Sequence, residues 1–185
     1  LLIHLHGGTR VLNPGESGTR EAILMAGLAG YRVISVDYRM PPDFPFPAAL
    51  DDAVAVYREM LKSHAPRTMG IFGTSAGGSL TCTTLLRAKM EGLPMPGAIA
   101  PGTPTVDLTD EGDSCYINEH IDNVLGTRAG FIRASIQLYA NGRDLRDPLL
   151  SPIYGDVSGF PPAILTSGTR DLYLSNTCLL YTSPS

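Results

Sequence analysis

Gly73-Thr74-Ser75-Ala76-Gly77-Gly78 is the stretch that decides how this chain is read. It stands between a short apolar run at 69–73, which reads as a buried strand, and a helical pattern at 76–90. The serine has glycine at both second neighbours, the G-x-S-x-G pattern of a strained strand-to-helix turn. Such a turn projects the hydroxyl clear of the sheet while neighbouring backbone closes on the flanking positions, so side chains there must be absent. A helix opening at Ala76 aims its first N–H groups and its positive dipole end at the same point, which favours a developing negative charge. The plainer reading is a glycine-rich turn whose serine caps the helix. Placement between strand and helix, together with the additional Gly78, favours a nucleophile.

Working outward, strands and helices alternate. Residues 1–6 and 31–38 read as strands, and the proline-dense 41–47 can be neither helix nor central strand. A helix is expected over 48–63, with Leu50, Ala53, Val54, Tyr57, Met60 and Leu61 on one face and Asp51 and Asp52 near its N-terminal end. Another strand begins at 97–101, the last clear one covers 161–168, and a helix opens at Leu172. Between them, 110–142 reads as a mostly helical, polar insertion with apolar contacts from Phe131, Ile132, Ile136, Leu138 and Tyr139. This alternation predicts an α/β fold, a mainly parallel sheet with helices on both faces. Sheets of that kind carry their chemistry at the carboxyl ends of strands.

That rule selects two more loops. His6-Gly7-Gly8-Thr9 follows the first strand directly, and N–H groups of Gly7, Gly8 and Thr9 with that of Ala76 would form an oxyanion hole. His6 is expected to hold this loop by hydrogen bonding rather than to act as a base, and His4 to be a packed, satisfied histidine. Asp171 ends the run Gly168-Thr169-Arg170-Asp171 at the carboxyl end of the 161–168 strand, after the serine as in the Ser…Asp…His order. Its competing reading is a helix N-cap. Asp147, followed by Pro148, reads as a loop residue, and Asp37 as the partner of Arg39.

Bulk composition excludes several functions. The 185 residues are 43% hydrophobic and only 17% charged, with a net charge of −4 and no run of lysine or arginine. Neither nucleic acid nor an anionic membrane surface fits that balance, and no apolar stretch reaches the roughly 18 residues that cross a bilayer. Cys82, Cys115 and Cys178 are odd in number and lack metal-ligand spacing, so they read as free thiols in a reducing compartment, the cytoplasm.

Taken in order, the motifs resemble the hormone-sensitive-lipase-like branch of the α/β-hydrolase fold, among the bacterial carboxylesterases. The resemblance rests on His6-Gly7-Gly8, Asp37-Tyr38-Arg39, residues 46–52, residues 73–78, Asp147-Pro148-Leu149-Leu150-Ser151-Pro152 and residues 161–171. It implies a Ser-His-Asp triad and an acyl-enzyme intermediate, with Ser75 as nucleophile and Asp171 as the acid that orients the histidine. Small esters or lactones with short or medium acyl groups are the implied substrates, with no metal or organic cofactor. Two positions depart from the family: Thr9 stands where a third glycine is usual, and Thr74 where an acidic residue is usual.

All four histidines, His4, His6, His64 and His120, precede Asp171, whereas the family base follows the acid by about one strand–helix unit. The expectation is therefore a domain truncated at both ends, with the base beyond Ser185 and a strand already under way at Leu1. Residues 1–177 read as the partial hydrolase domain. The uncharged 178–185 reads as a non-native tail resembling translated cloning linker. An alternative is an inactive small-ligand-binding protein, since plant gibberellin receptors resemble the same family without its histidine. A third keeps the fold but makes it a peptidase or amidase. Oligomeric state is not indicated by the sequence.

Overall fold

Four short apolar strands form one parallel sheet: β1 (Leu2–Leu5), β2 (Val33–Val36), β3 (Gly70–Thr74) and β4 (Ala98–Gly102), in the order β2-β1-β3-β4. The structure, a computed structural model, describes residues 1–109 and 111–183. Asp110, the first residue of the expected insertion, and Pro184 and Ser185, the last of the expected tail, lie outside the described residues. Leu2 pairs with Val33 on one side and Gly70 on the other, and Gly70 pairs with Ala98. Every strand thus points the same way, and the loops after β1, β3 and β4 emerge along one rim of the sheet.

The crossovers are α1 (Arg20–Ala29), α2 (Ala48–Leu61) and α3 (Ala76–Met90). The chain moves outward from β1 to β2, then back past β1 to β3 and on to β4. Because parallel crossovers are right-handed, that reversal puts α1 on one face and α2 with α3 on the other. Helices α2 and α3 pack against each other there. The predicted apolar face of α2 is buried at Leu50, Ala53, Val54 and Tyr57, against Ile3, Leu5 and Ile71 of the sheet and Leu80 and Leu85 of α3. Helix α3 is buried nearly all round, so its polar side chains turn back on its own carbonyls: Thr81 Oγ1 donates to Gly77 O and Thr84 Oγ1 to Leu80 O.

Three expectations need correction. Residues 161–168 are no unbroken strand; they meet β4 at two parallel bridges, Ile99 with Ala163 and Gly102 with Thr166. Pro161 and Pro162 have no N–H to donate, which thins the ladder where it would begin. The 111–142 region holds only α4 (Ser114–Ile117) and α5 (Phe131–Ala140) as helix, and the rest is turns. Four of its polar residues, Ser114, Asn118, Asp122 and Arg128, are buried and make internal contacts. Arg39 pairs with Asp52, not Asp37, because both nitrogens of its planar fork meet that carboxylate (2.8–3.1 Å). Asp37 instead accepts the Gly15 N–H at 2.8 Å.

The last helix, α6 (Leu174–Thr182), begins two residues later than expected and runs through the 177/178 boundary. Leu172 and Tyr173 ahead of it and Asn176 and Thr177 within it are buried, whereas Cys178, Leu179 and Tyr181 are exposed.

Candidate active site

Ser75 sits between β3 and α3 at φ 58, ψ −119, a region that side chains other than glycine avoid. The strain is held in place by wedging. A Cβ on Gly73 would lie 2.0 Å from the Leu5 carbonyl oxygen, and one on Gly77 would lie 1.9 Å from the same atom. Only glycine lets the end of β1 press into both sides of the turn. The Ser75 N–H donates to Gly102 O (2.9 Å) and its carbonyl accepts the Ser79 N–H (3.0 Å), so the turn is tied to β4 as well as to α3.

The same wedge brings the loop after β1 to the serine. A Cβ on Gly7 would lie 3.6 Å from that of Ser75. Gly8, Thr9 and Arg10 follow with φ of +115, +53 and +64, a tight left-handed run. Among the described residues, no turn or side-chain hydrogen bond uses the N–H of Gly8 or Thr9. Ala76 is the first residue of α3, so its N–H has no acceptor within the helix.

His6 fastens this loop. Its Nδ1–H donates to Gly7 O (2.8 Å), its carbonyl accepts the Tyr38 hydroxyl (2.7 Å), and the two rings stack 4.1 Å apart at 7°. Burial pushes its pKa down, keeping the ring neutral. Arg10, which sequence reasoning missed, is buried behind the loop. Its Nη2 donates to Ser79 Oγ (2.5 Å) and its guanidinium lies 4.8 Å from the Tyr139 ring centroid. Behind the turn, Thr74 Oγ1 donates to Glu21 Oε2 (3.1 Å), 3.5 Å from which lies His4 Nε2; His4 Nδ1 is bonded to Ser35 Oγ (2.9 Å).

Asp171 opens into the same cavity as Ser75, a space of about 440 Å³ that Thr103, Asp122 and Tyr173 also line. One carboxylate oxygen, Oδ1, accepts the Tyr173 N–H (2.7 Å); the other accepts the Thr103 hydroxyl. Asp171 therefore caps a turn ahead of α6, and its second oxygen faces the rim of the sheet. Thr103, at φ 34 just past β4, was not legible as a site residue, because nothing in Gly102-Thr103-Pro104 marks a hydroxyl aimed at a carboxylate 68 residues on. Among the described residues no histidine lines this cavity. His64 closes α2 by bonding Ser63 Oγ (2.9 Å), and His120 occupies a left-handed turn with its N–H on Gly126 O. Nor do three or more His, Cys, Asp or Glu side chains among the described residues gather as metal ligands.

Residues 2–183 match the model of an alpha/beta hydrolase fold family. The chain belongs to this family. Among curated relatives, it is 35% identical to an acetyl-hydrolase of Streptomyces hygroscopicus over 172 residues, 92% of this chain and 57% of that protein. It is 32% identical to an esterase of Acinetobacter venetianus, over 95% of this chain and 58% of that protein. Among solved structures, esterase E25 superposes with a TM-score of 0.93 at 50% identity, covering 96% of this chain and 54% of that one. An esterase from the bacterial hormone-sensitive lipase family superposes at 0.89 with 34% identity, over 98% of this chain and 60% of that one. The branch read from the motifs is thus the branch of that relative. The chain spans a little over half the length of the curated relatives it matches.

Proposed function

We propose that this chain is the core of a carboxylic-ester hydrolase with Ser75 as nucleophile and Asp171 as the acid of a Ser-His-Asp triad. The single observation that carries the reading is the strained Ser75 turn, opening with Asp171 into one cavity. Ser75 Oγ attacks the ester carbonyl and gives its proton to a histidine. The N–H groups of Gly7, Gly8, Thr9 and Ala76 hold the tetrahedral oxyanion, with His6 supporting their loop. The histidine then protonates the departing alcohol, and water releases the acid from the acyl-serine by the same steps in reverse. Asp171 holds the imidazole in the required tautomer. The histidine comes from chain beyond Ser185, roughly 30 residues after Asp171, because one helix and one further strand take about that length.

Short or medium acyl esters and small lactones fit a cavity of this size, and the acetyl-hydrolase relative supports a short acyl group. The net charge of −4 speaks for a small substrate rather than nucleic acid, and the free cysteines for work in the reducing cytoplasm. A cavity that no histidine lines among the described residues also suits a catalytically inactive binding protein. Turnover separates the two. The 185-residue chain should be nearly inactive on p-nitrophenyl acetate, and the full-length protein active by several orders of magnitude more. Ser75→Ala and Asp171→Asn should each remove most of that activity. A full-length protein that binds small esters yet never turns them over would favour the binding protein.

A further inference from the structure

The backbone of the turn that carries Asp171 is held from one segment, residues 114–125, while Thr103 bonds its carboxylate. Asn118 Nδ2 donates to the carbonyls of Asp171 (2.9 Å) and Thr169 (3.3 Å), and Ser114 Oγ to that of Leu172 (2.8 Å). Asp122 closes the arrangement. Its Oδ2 accepts the N–H of Leu172 (3.0 Å), while Oδ1 accepts those of Val124 (2.8 Å) and Leu125 (2.9 Å). All three fastening side chains are buried. Val124 and Leu125 line the same cavity as Ser75, and Val124 is exposed.

We infer that Asp122 is a positioning residue that ties the substrate-facing tip 123–125 to the turn of the triad acid. The tip's grip on the ester and the placement of Asp171 are then set together. One carboxylate with two acceptor oxygens is what the job requires, because three N–H groups from two separate strands of chain converge on it. An amide cannot replace it. Asparagine offers one acceptor oxygen, so it satisfies either the Val124 and Leu125 donors or the Leu172 donor, and turns its own NH₂ against the other. Asp122→Asn therefore cuts the strap with little change in shape.

Hydrogen exchange on the 185-residue chain reads the strap without turnover. In Asp122→Asn, the amides at 172 or at 124–125 should exchange about tenfold faster or more, while β1 and β3 stay protected. Unchanged protection at all three amides overturns the inference. Asn118→Ala, which removes the neighbouring fastener, should likewise speed exchange across 169–173 and serves if Asp122→Asn does not fold. The catalytic half rests on the hydrolase reading and is measured on the full-length protein, per active site titrated with a fluorophosphonate. There Asp122→Asn should lower kcat/KM about 100-fold and change the ratio of rates on p-nitrophenyl acetate and p-nitrophenyl hexanoate. A purely structural role would lower only the fraction of active sites; unchanged per-site kcat and chain-length preference overturn the inference. If Ser75→Ala keeps full turnover, the hydrolase reading itself fails, and the exchange result still decides whether the strap exists.

Discussion

Ser75 and Asp171 face one cavity but are held there by different means. The serine turn is wedged by backbone: the Leu5 carbonyl presses on Gly73 and Gly77 at distances that admit no side chain. The Asp171 turn is pinned by side chains, Asn118, Ser114, Asp122 and Thr103, each reaching across a long sequence separation. A wedge fails all at once, because close-packed backbone has nowhere to move. A set of hydrogen bonds fails by instalments, one fastener at a time.

Gly77→Ala gives the largest effect. Its methyl would meet Leu5 O at 1.9 Å, so unfolding by urea should show a loss of about 3 kcal/mol or more, or no folded protein. Wild-type stability in this variant would break the comparison on the serine side. Next comes the Asp171 side: Asn118→Leu leaves the part-buried carbonyls of Asp171 and Thr169 without their donor. That should cost about 1 kcal/mol in the same experiment, with the fold retained. A loss as large as that of Gly77→Ala would erase the distinction.

The contrast also explains what could be read from sequence. The wedge leaves a local mark, glycines two residues to either side of a serine, flanked by a strand pattern and a helix pattern. The helical face of α2 was legible for a similar reason, since Leu50, Ala53, Val54 and Tyr57 repeat at helical spacing. The pins leave no such mark. Asn118 and Asp122 look like ordinary loop residues, and a stretch read as mostly helical and polar proved to hold two short helices among turns, with Ser114, Asn118, Asp122 and Arg128 buried. Asp37 and Arg39 were paired because they are neighbours in sequence, but the planar fork of Arg39 found better geometry on Asp52.

Acid should reach the pinned side first. Burial alone would raise the Asp122 carboxyl, but the N–H groups of Leu125, Leu172 and Val124 outweigh it and hold its pKa below the ordinary value. A depressed carboxylate contributes stability that is complete above its unfolded pKa, about 3.9, and is lost as pH falls through its folded value. Between pH 5 and 2 the wild-type stability should therefore fall more steeply than that of Asp122→Asn, measured by urea unfolding at each pH. Parallel curves would show that Asp122 is not a charged pin. The smallest effect belongs to the end of α6, where Cys178, Leu179, Tyr181 and Thr182 are exposed. Removal of residues 178–185 should change stability by less than about 0.5 kcal/mol, since Cys178, Leu179 and Tyr181 are exposed. A larger loss would make that segment part of the domain.

The central claim is that Ser75 becomes acylated. The direct measurement is mass spectrometry of the full-length protein quenched in acid during turnover of p-nitrophenyl butyrate, followed by peptide mapping. The account predicts a butyryl group on the peptide carrying Gly73-Thr74-Ser75-Ala76-Gly77, localised to Ser75, absent in Ser75→Ala and accumulated in proportion to the p-nitrophenol burst. Butyryl on another residue of a protein that turns over the ester would contradict it, as would full turnover by Ser75→Ala.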